Sequence, residues 1–134
     1  MPKEILKTPS APEAIGPYSQ AIKVGDLLFL SGQLPIDART NEIKGNNIRS
    51  QARRCIENIS SILRDCGLGL KDVVKTTVYI MDINDFPALN EVYTEHFTAP
   101  YPARSTVQVS ALPIQGAMVE IEAIACVGPT TKLL

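Results

Sequence analysis

The chain has 134 residues, 45% of them hydrophobic, enough apolar material for one domain to bury its own core without metal or disulfide support, and residues 1–134 read as a single domain. A net charge of -1, from 13 basic and 14 acidic side chains, gives no global field to recruit a nucleic-acid backbone or an anionic membrane. No apolar run approaches the roughly 20 residues of a membrane-spanning helix. The proline-broken start lacks a secretory core and is too poor in arginine for a transit peptide, so the cytoplasm is the expected compartment, with an organelle such as the mitochondrion as the alternative.

After that start, "QAIKVGDLLFLSGQ" reads as two strands, 20–24 and 27–31, joined by a Gly25-Asp26 turn. A loop rich in turn formers follows, and then Ile48, Ala52, Cys55, Ile56, Ile59, Ile62, Leu63 and Cys66 recur at helical spacing until Gly67 supplies a left-handed stop. The β-branched run "DVVKTTVYIMD" predicts a strand over 73–81. Asn84 is the expected cap of a second helix, in which Phe86, Leu89, Asn90, Tyr93 and Phe97 share one side before "APYP" ends it. Two strands, 103–109 and 118–127, close the chain around the loop "SALPIQGA".

The order is β-β-α-β-α-β-β, an α+β class. Two helices cannot cover both faces of a sheet of five or six strands, so they are expected on one face, leaving the other to water or to another subunit. Cys55, Cys66 and Cys126 are odd in number, form no CxxC pair and read as small core residues; His96, the single histidine, reads as a cation or hydrogen bonder near a helix end. Neither a disulfide framework nor a metal site is expected.

The residues that invite chemistry lie in the last two strands. In "YPARSTVQV", Arg104, Thr106 and Gln108 point one way and Ser105, Val107 and Val109 the other; in "VEIEAIA", Glu120 and Glu122 share a face. If the two strands pair antiparallel, matching apolar to apolar puts Arg104 and Thr106 on the face of the glutamates. Such neighbours form either a structural ion pair or a site in which the guanidinium fork takes the carboxylate of a small ligand while a glutamate manages a proton or a water. Tyr18 after a Gly-Pro turn, and Ser31-Gly32 at a strand end, offer a phenol, a hydroxyl and an unshielded N–H, each of which is equally at home in ordinary loop chemistry.

Together "AIGPYSQAI", "LFLSGQLP", "QARRCIENI", "VVKTTVYIMDINDFPALNEVY", "YPARSTVQV" and "VEIEAIA" resemble the Rid family, also called YjgF, the reactive-intermediate deaminases, over nearly the whole chain. The resemblance implies a chorismate-mutase-like fold and a homotrimer whose sheets form an inner barrel, with sites in the clefts between subunits. It implies hydrolytic deamination of 2-enamine and 2-imine acids, such as 2-aminoacrylate and 2-iminobutanoate, to 2-keto acids and ammonia, without a cofactor. Carried over to this chain, Arg104 anchors the substrate carboxylate and Glu120 orients the water. Tyr18, Ser31, Gly32, Asn90 and Thr106 complete the pocket, and Glu122 is a structural partner. Many relatives have cysteine where this chain has Thr106, so thiol-dependent regulation does not carry over, whereas the contact itself can come from a hydroxyl or the backbone.

Two other classes are implied by relatives. One is a translation inhibitor with endoribonuclease activity, which the near-neutral charge, 5% aromatic content and lone histidine oppose. The other is a non-catalytic binder of a small acid or of a client protein, opposed by the presence of Glu120 beside the anchor.

Overall fold

The structure, a computed structural model, describes residues 2–128. In chain order the elements are β1 (Lys3–Leu6), β2 (Ala21–Val24), β3 (Leu27–Gln33), β4 (Ile36–Asp37), β5 (Glu42–Ile43), α1 (Ile48–Asp65), β6 (Val73–Ile80), α2 (Phe86–His96), β7 (Ala103–Gln108) and β8 (Val119–Cys126). The expected β-β-α-β-α-β-β succession is present from β2 onward. Beyond it stand the edge strand β1 and the two-residue ladder of β4 and β5, both too short to show a period in the sequence.

Six strands form one mixed sheet in the order β1-β2-β3-β8-β6-β7, antiparallel throughout except for the parallel pair of β6 and β7. A parallel pair needs a crossover, and α2 is the crossover here. Asn47 opens α1 by accepting the Ser50 N–H, and Gly67, at φ 77°, closes it while the Leu68 N–H returns to the Leu63 carbonyl at 2.8 Å. The apolar stripe Ile48, Ala52, Cys55, Ile56, Ile59, Ile62 and Leu63 is buried against β8 and β3. Two exposed ion pairs one turn apart, Arg49 with Glu91 and Arg53 with Glu95, tie α1 to α2. Among the described residues no helix is long and apolar enough to cross a membrane.

Several expectations are corrected. Asn84 does not cap α2: it lies in a 3-10 turn, Ile83–Asp85, whose own cap is Asp82, and the helix starts at Phe86 with Pro87 in its first turn. Of the cysteines only Cys55 is fully buried; Cys66, at the end of α1, is partly buried and packs against the core, and Cys126 is partly buried on the open face. His96 does stand at the end of α2, its Nδ1 3.0 Å from the Val92 carbonyl.

The larger correction concerns β7 and β8, which are not neighbours. β6 lies between them, pairing Thr76 with Arg104 on one side and with Ala123 on the other. Cross-strand partners share a face, and Ala123 belongs with Val119, Ile121 and Ala125 to the buried row beneath the helices. Arg104, Thr106 and Gln108 therefore stand on the helix side, whereas Glu120 and Glu122, partners of Tyr79 and Thr77, stand on the open side. The polar row of β7 can occupy the helix side because β7 is the sheet edge, where helical cover runs out. On the open side, Leu27, Phe29 and Val107 remain exposed.

Gln51 fastens this frame to the loop before β8. It is 2% exposed, donates to the carbonyls of Gly45 (3.2 Å) and Gly116 (2.9 Å), and accepts the Met118 N–H at 2.7 Å. Replacement by leucine leaves three backbone groups without partners. Gln51→Leu is expected to lower the unfolding free energy by about 2–4 kcal/mol in urea titration; an unshifted midpoint would show the loop to be held by other contacts.

Candidate active site

The residues proposed from sequence gather in two places. The first is built on an irregularity in β3. Its register against β8 runs Leu30 to Ala123 and then Gln33 to Ile121, so Ser31 and Gly32 bulge where one residue would be regular. The bulge makes room for Glu120: a β-carbon on Gly32 would collide with the Glu120 carboxyl, and only glycine allows that approach. Ser31 is engaged twice with the preceding loop, its hydroxyl donating to the Ser19 carbonyl at 2.5 Å and its N–H to the Gln20 carbonyl at 3.0 Å. The hydroxyl thus holds the loop that carries Tyr18.

That loop turns at Gly16, φ 126°, where the Tyr18 N–H reaches back to the Gly16 carbonyl at 2.9 Å. The phenol accepts the Ile15 N–H at 3.2 Å and remains 53% exposed. Buried Gln20 anchors the segment before it, accepting the Thr8 N–H at 2.7 Å and donating to the Pro12 carbonyl at 2.9 Å. The result is a cavity of about 560 Å³ with Tyr18, Ser31, Gly32 and Glu120 on its polar side and Ile15 and Ile114 among its apolar walls.

Glu120 is the half-buried carboxyl of this cavity. Burial first, and the Glu122 charge second, push its carboxyl above the usual glutamate range, so it keeps a proton to higher pH than a solvated acid does. Glu122 is occupied differently. It accepts a short hydrogen bond from the Tyr79 hydroxyl, and that bond is the main reason the Tyr79 phenol is raised.

The second place lies on the other side of the sheet. Arg104 projects from β7 against α2, its guanidinium carbon 4.7 Å from the Tyr93 ring centroid and 5.4 Å from that of Phe86. Asn90, Tyr93, Thr94, Tyr101 and Pro102 enclose it in a cavity of about 370 Å³. Among the described residues no carboxylate pairs with it within 4.0 Å. Two residues along the same row, the Thr106 hydroxyl is buried without a hydrogen-bond partner. Both groups keep hydrogen-bonding capacity that no side chain of the described residues takes up.

The members of both clusters are thus legible in the sequence, but the direct pairing of their two strands does not occur: within one chain, Arg104 and Asn90 open on one side and Tyr18, Ser31, Gly32 and Glu120 on the other. Sequence reasoning missed Tyr93, Tyr101 and Ile114 as lining residues. Tyr93 was within reach, since it follows Asn90 by three positions on a helix and so faces the same way; the loop around Ile114 carries no such periodic signal. Among the described residues no three metal-ligating side chains come together.

Comparison with known proteins adds an independent line. The sequence profile of the family described as Endoribonuclease L-PSP matches residues 8–127. A RutC family protein of Pyrococcus abyssi is 54% identical over 93% of this chain and 98% of its own length. A 2-iminobutanoate/2-iminopropanoate deaminase of Dermatophagoides farinae is 48% identical over 92% of this chain and 95% of its own length. Among solved structures, Escherichia coli TdcF with bound serine superposes with a TM-score of 0.86 at 44% identity, covering 93% of this chain and 99% of that one.

The raised carboxyl has a consequence for stability. A group whose folded pKa lies above its unfolded value binds more protons when folded, so stability falls as pH rises through the window between the two. Glu120→Gln removes that loss. The variant is expected to melt above wild type near neutral pH, with the gap closing as pH drops below the unfolded carboxyl value of about 4.3. A variant that melts below wild type at neutral pH would show Glu120 to be stabilising rather than strained.

Proposed function

This chain belongs to the Endoribonuclease L-PSP family, the Rid or YjgF family, and from that premise we propose that it hydrolyses 2-imino acids of short chain, 2-iminopropanoate and 2-iminobutanoate, to 2-keto acids and ammonia. The observation that carries this reading is Arg104, a half-buried guanidinium with its N–H donors uncommitted to any carboxylate of the described residues, beside the unpartnered Thr106 hydroxyl. A planar fork of that kind matches a carboxylate in bidentate fashion, where a lysine would supply only a point charge.

We further propose that the two clusters are halves of one site, completed between copies of the chain in a homotrimer whose open sheet faces turn inward. The exposed Leu27, Phe29 and Val107 support that packing, since an uncovered apolar sheet face gains by association. In the cleft, Arg104, Asn90 and Thr106 of one copy hold the substrate carboxylate against Tyr18, Ser31, Gly32 and Glu120 of the next. A water bonded to the Glu120 carboxylate adds through its oxygen to C2, giving up a proton to Glu120. The imine nitrogen takes that proton to give a carbinolamine; the C2 hydroxyl proton then passes by way of Glu120 to the amine nitrogen as the C2–N bond breaks, so ammonia leaves and the C2–O bond becomes the keto carbonyl. An enamine such as 2-aminoacrylate enters after its C3 gains a proton.

The electrophilic imine already reacts in water, so the protein need supply only orientation and one proton relay, and no cofactor enters these steps. The physiological role we infer is protection of pyridoxal-phosphate enzymes from such intermediates, in the cytoplasm. The family's description as an endoribonuclease favours a second reading, RNA cleavage. Against it, the single histidine is bonded to the Val92 carbonyl, and the net charge is -1.

Imines generated in situ by an amino-acid oxidase, with semicarbazide trapping the remainder, provide the assay. Wild type is expected to abolish trapping. Arg104→Ala is expected to lose about 10–100-fold in kcat/KM, and Glu120→Gln about 10²–10⁴-fold in kcat. Trapping unchanged by wild type would overturn the deaminase reading, and salt-sensitive RNA binding would then move RNA to the front. The shared cleft has its own check: unfolding and refolding Arg104→Ala and Glu120→Gln together should restore about a quarter of wild-type activity, because in random trimers that fraction of clefts receives both intact residues. Mixtures as inactive as the parents would place both residues in one chain's site.

A further inference from the structure

We infer that Tyr93, aided by Phe86, is the positioning residue that aims the Arg104 guanidinium at a ligand carboxylate, an inference that rests on the anchor role proposed above. The ring is held on three sides. Its hydroxyl is 2.8 Å from the Thr76 hydroxyl, and Thr76, fully buried, is the residue directly opposite Arg104 in the β6–β7 register. Phe97 stacks on it with centroids 4.4 Å apart and planes at 24°. Over the ring lies the guanidinium carbon, at 4.7 Å, with Phe86 at 5.4 Å as a second aromatic surface. Tyr93 itself is only 4% exposed.

The physical need for such a bed follows from the lack of a carboxylate partner for Arg104 among the described residues. An arginine without a carboxylate partner has freely turning torsions and no fixed plane, yet bidentate recognition of a carboxylate requires the plane to be set beforehand. An aromatic face attracts the guanidinium through its quadrupole and leaves the N–H groups, which lie in the guanidinium plane, free to bond outward. A carboxylate in the same position would also hold the arginine, but it would occupy the donors the ligand needs. Phe97 stacking and burial hold the ring, and the Thr76–Tyr93 bond adds to them without being the sole support. The parts of this bed come from α2 and from β6, the two elements that flank β7.

The test compares ligands that differ in charge. Calorimetric titration of wild type with 2-oxobutanoate and with its neutral amide, 2-oxobutanamide, separates the carboxylate contact from the rest of the pocket. Tyr93→Leu is expected to bind 2-oxobutanoate about tenfold more weakly while its affinity for the amide is unchanged, and its KM for the imine should rise with kcat nearly constant. Tyr93→Phe keeps the ring and should stay within about twofold of wild type for both ligands. Should Tyr93→Leu fail to fold, Phe86→Leu provides the same comparison at a less buried position, with an expected loss of about threefold for the acid alone. Equal losses for acid and amide, or a Tyr93→Phe defect as large as that of Tyr93→Leu, would overturn the role of the ring face. Wild type that binds acid and amide alike would instead remove the carboxylate anchor itself, and the positioning role with it.

Discussion

Everything in this molecule turns on the two-sidedness of β8. Its eight residues alternate Val119, Ile121, Ala123 and Ala125 toward the helices with Glu120, Glu122, Ile124 and Cys126 toward the open face, and it lies between β3 and β6. The apolar row is covered by α1, which makes the strand immovable along its own axis, since a slip of one residue would bury both glutamates. With the register locked, Glu120 stands over the bulge of β3, and the absence of a side chain at Gly32 lets the carboxyl settle there. The acid is thereby half-desolvated and raised, a state that water-exposed glutamates do not reach.

The sheet also keeps opposite charges apart. Were Arg104 and Glu120 on one face in adjacent strands, they would neutralise each other, the carboxyl would be pulled down rather than pushed up, and the guanidinium donors would be consumed. Placing β6 between their strands, with Arg104 toward the helices and Glu120 toward the open face, prevents that pairing within the chain. The cost is an unneutralised cation in a partly buried place. Aromatic faces offset part of that cost without using the hydrogen-bond donors, which is why the surroundings of Arg104 are Tyr93, Phe86 and Tyr101 rather than acids. Glu122 and Tyr79 show the contrasting outcome, an acid whose partner has been supplied locally.

Loops do the remaining positioning, and they do it through buried amides. Gln20 fastens residues 8–12 behind the Tyr18 turn, Gln51 fastens the loop ending at Met118, and Asn58 donates to the Leu34 and Ile36 carbonyls beneath the β4 strand. Each satisfies several backbone groups that no strand or helix would pair, so irregular segments can lie against a dry core. Loops held in this way complete the Glu120 cavity beside β3 and β8, which carry Ser31, Gly32 and Glu120.

How much of this is legible before folding depends on the range of the interaction. Local periodicity in the chain is sufficient for α1, β6 and β8, and Gly67 marks the helix end by its freedom at positive φ; these depend on neighbours within a turn or a strand. The polar and apolar rows of β7 and β8 are equally readable, since alternation is intrinsic to an extended chain. Family resemblance added a proposed membership of the site: Arg104, Asn90, Tyr18, Ser31, Gly32 and Glu120 line two cavities, whereas the Thr106 hydroxyl is buried and lines neither. Which rows share a face was decided only by the tertiary structure. Strand order is a pairing between segments far apart in sequence, and inserting β6 between β7 and β8 sends Arg104 and Glu120 to opposite sides without altering a residue of either strand.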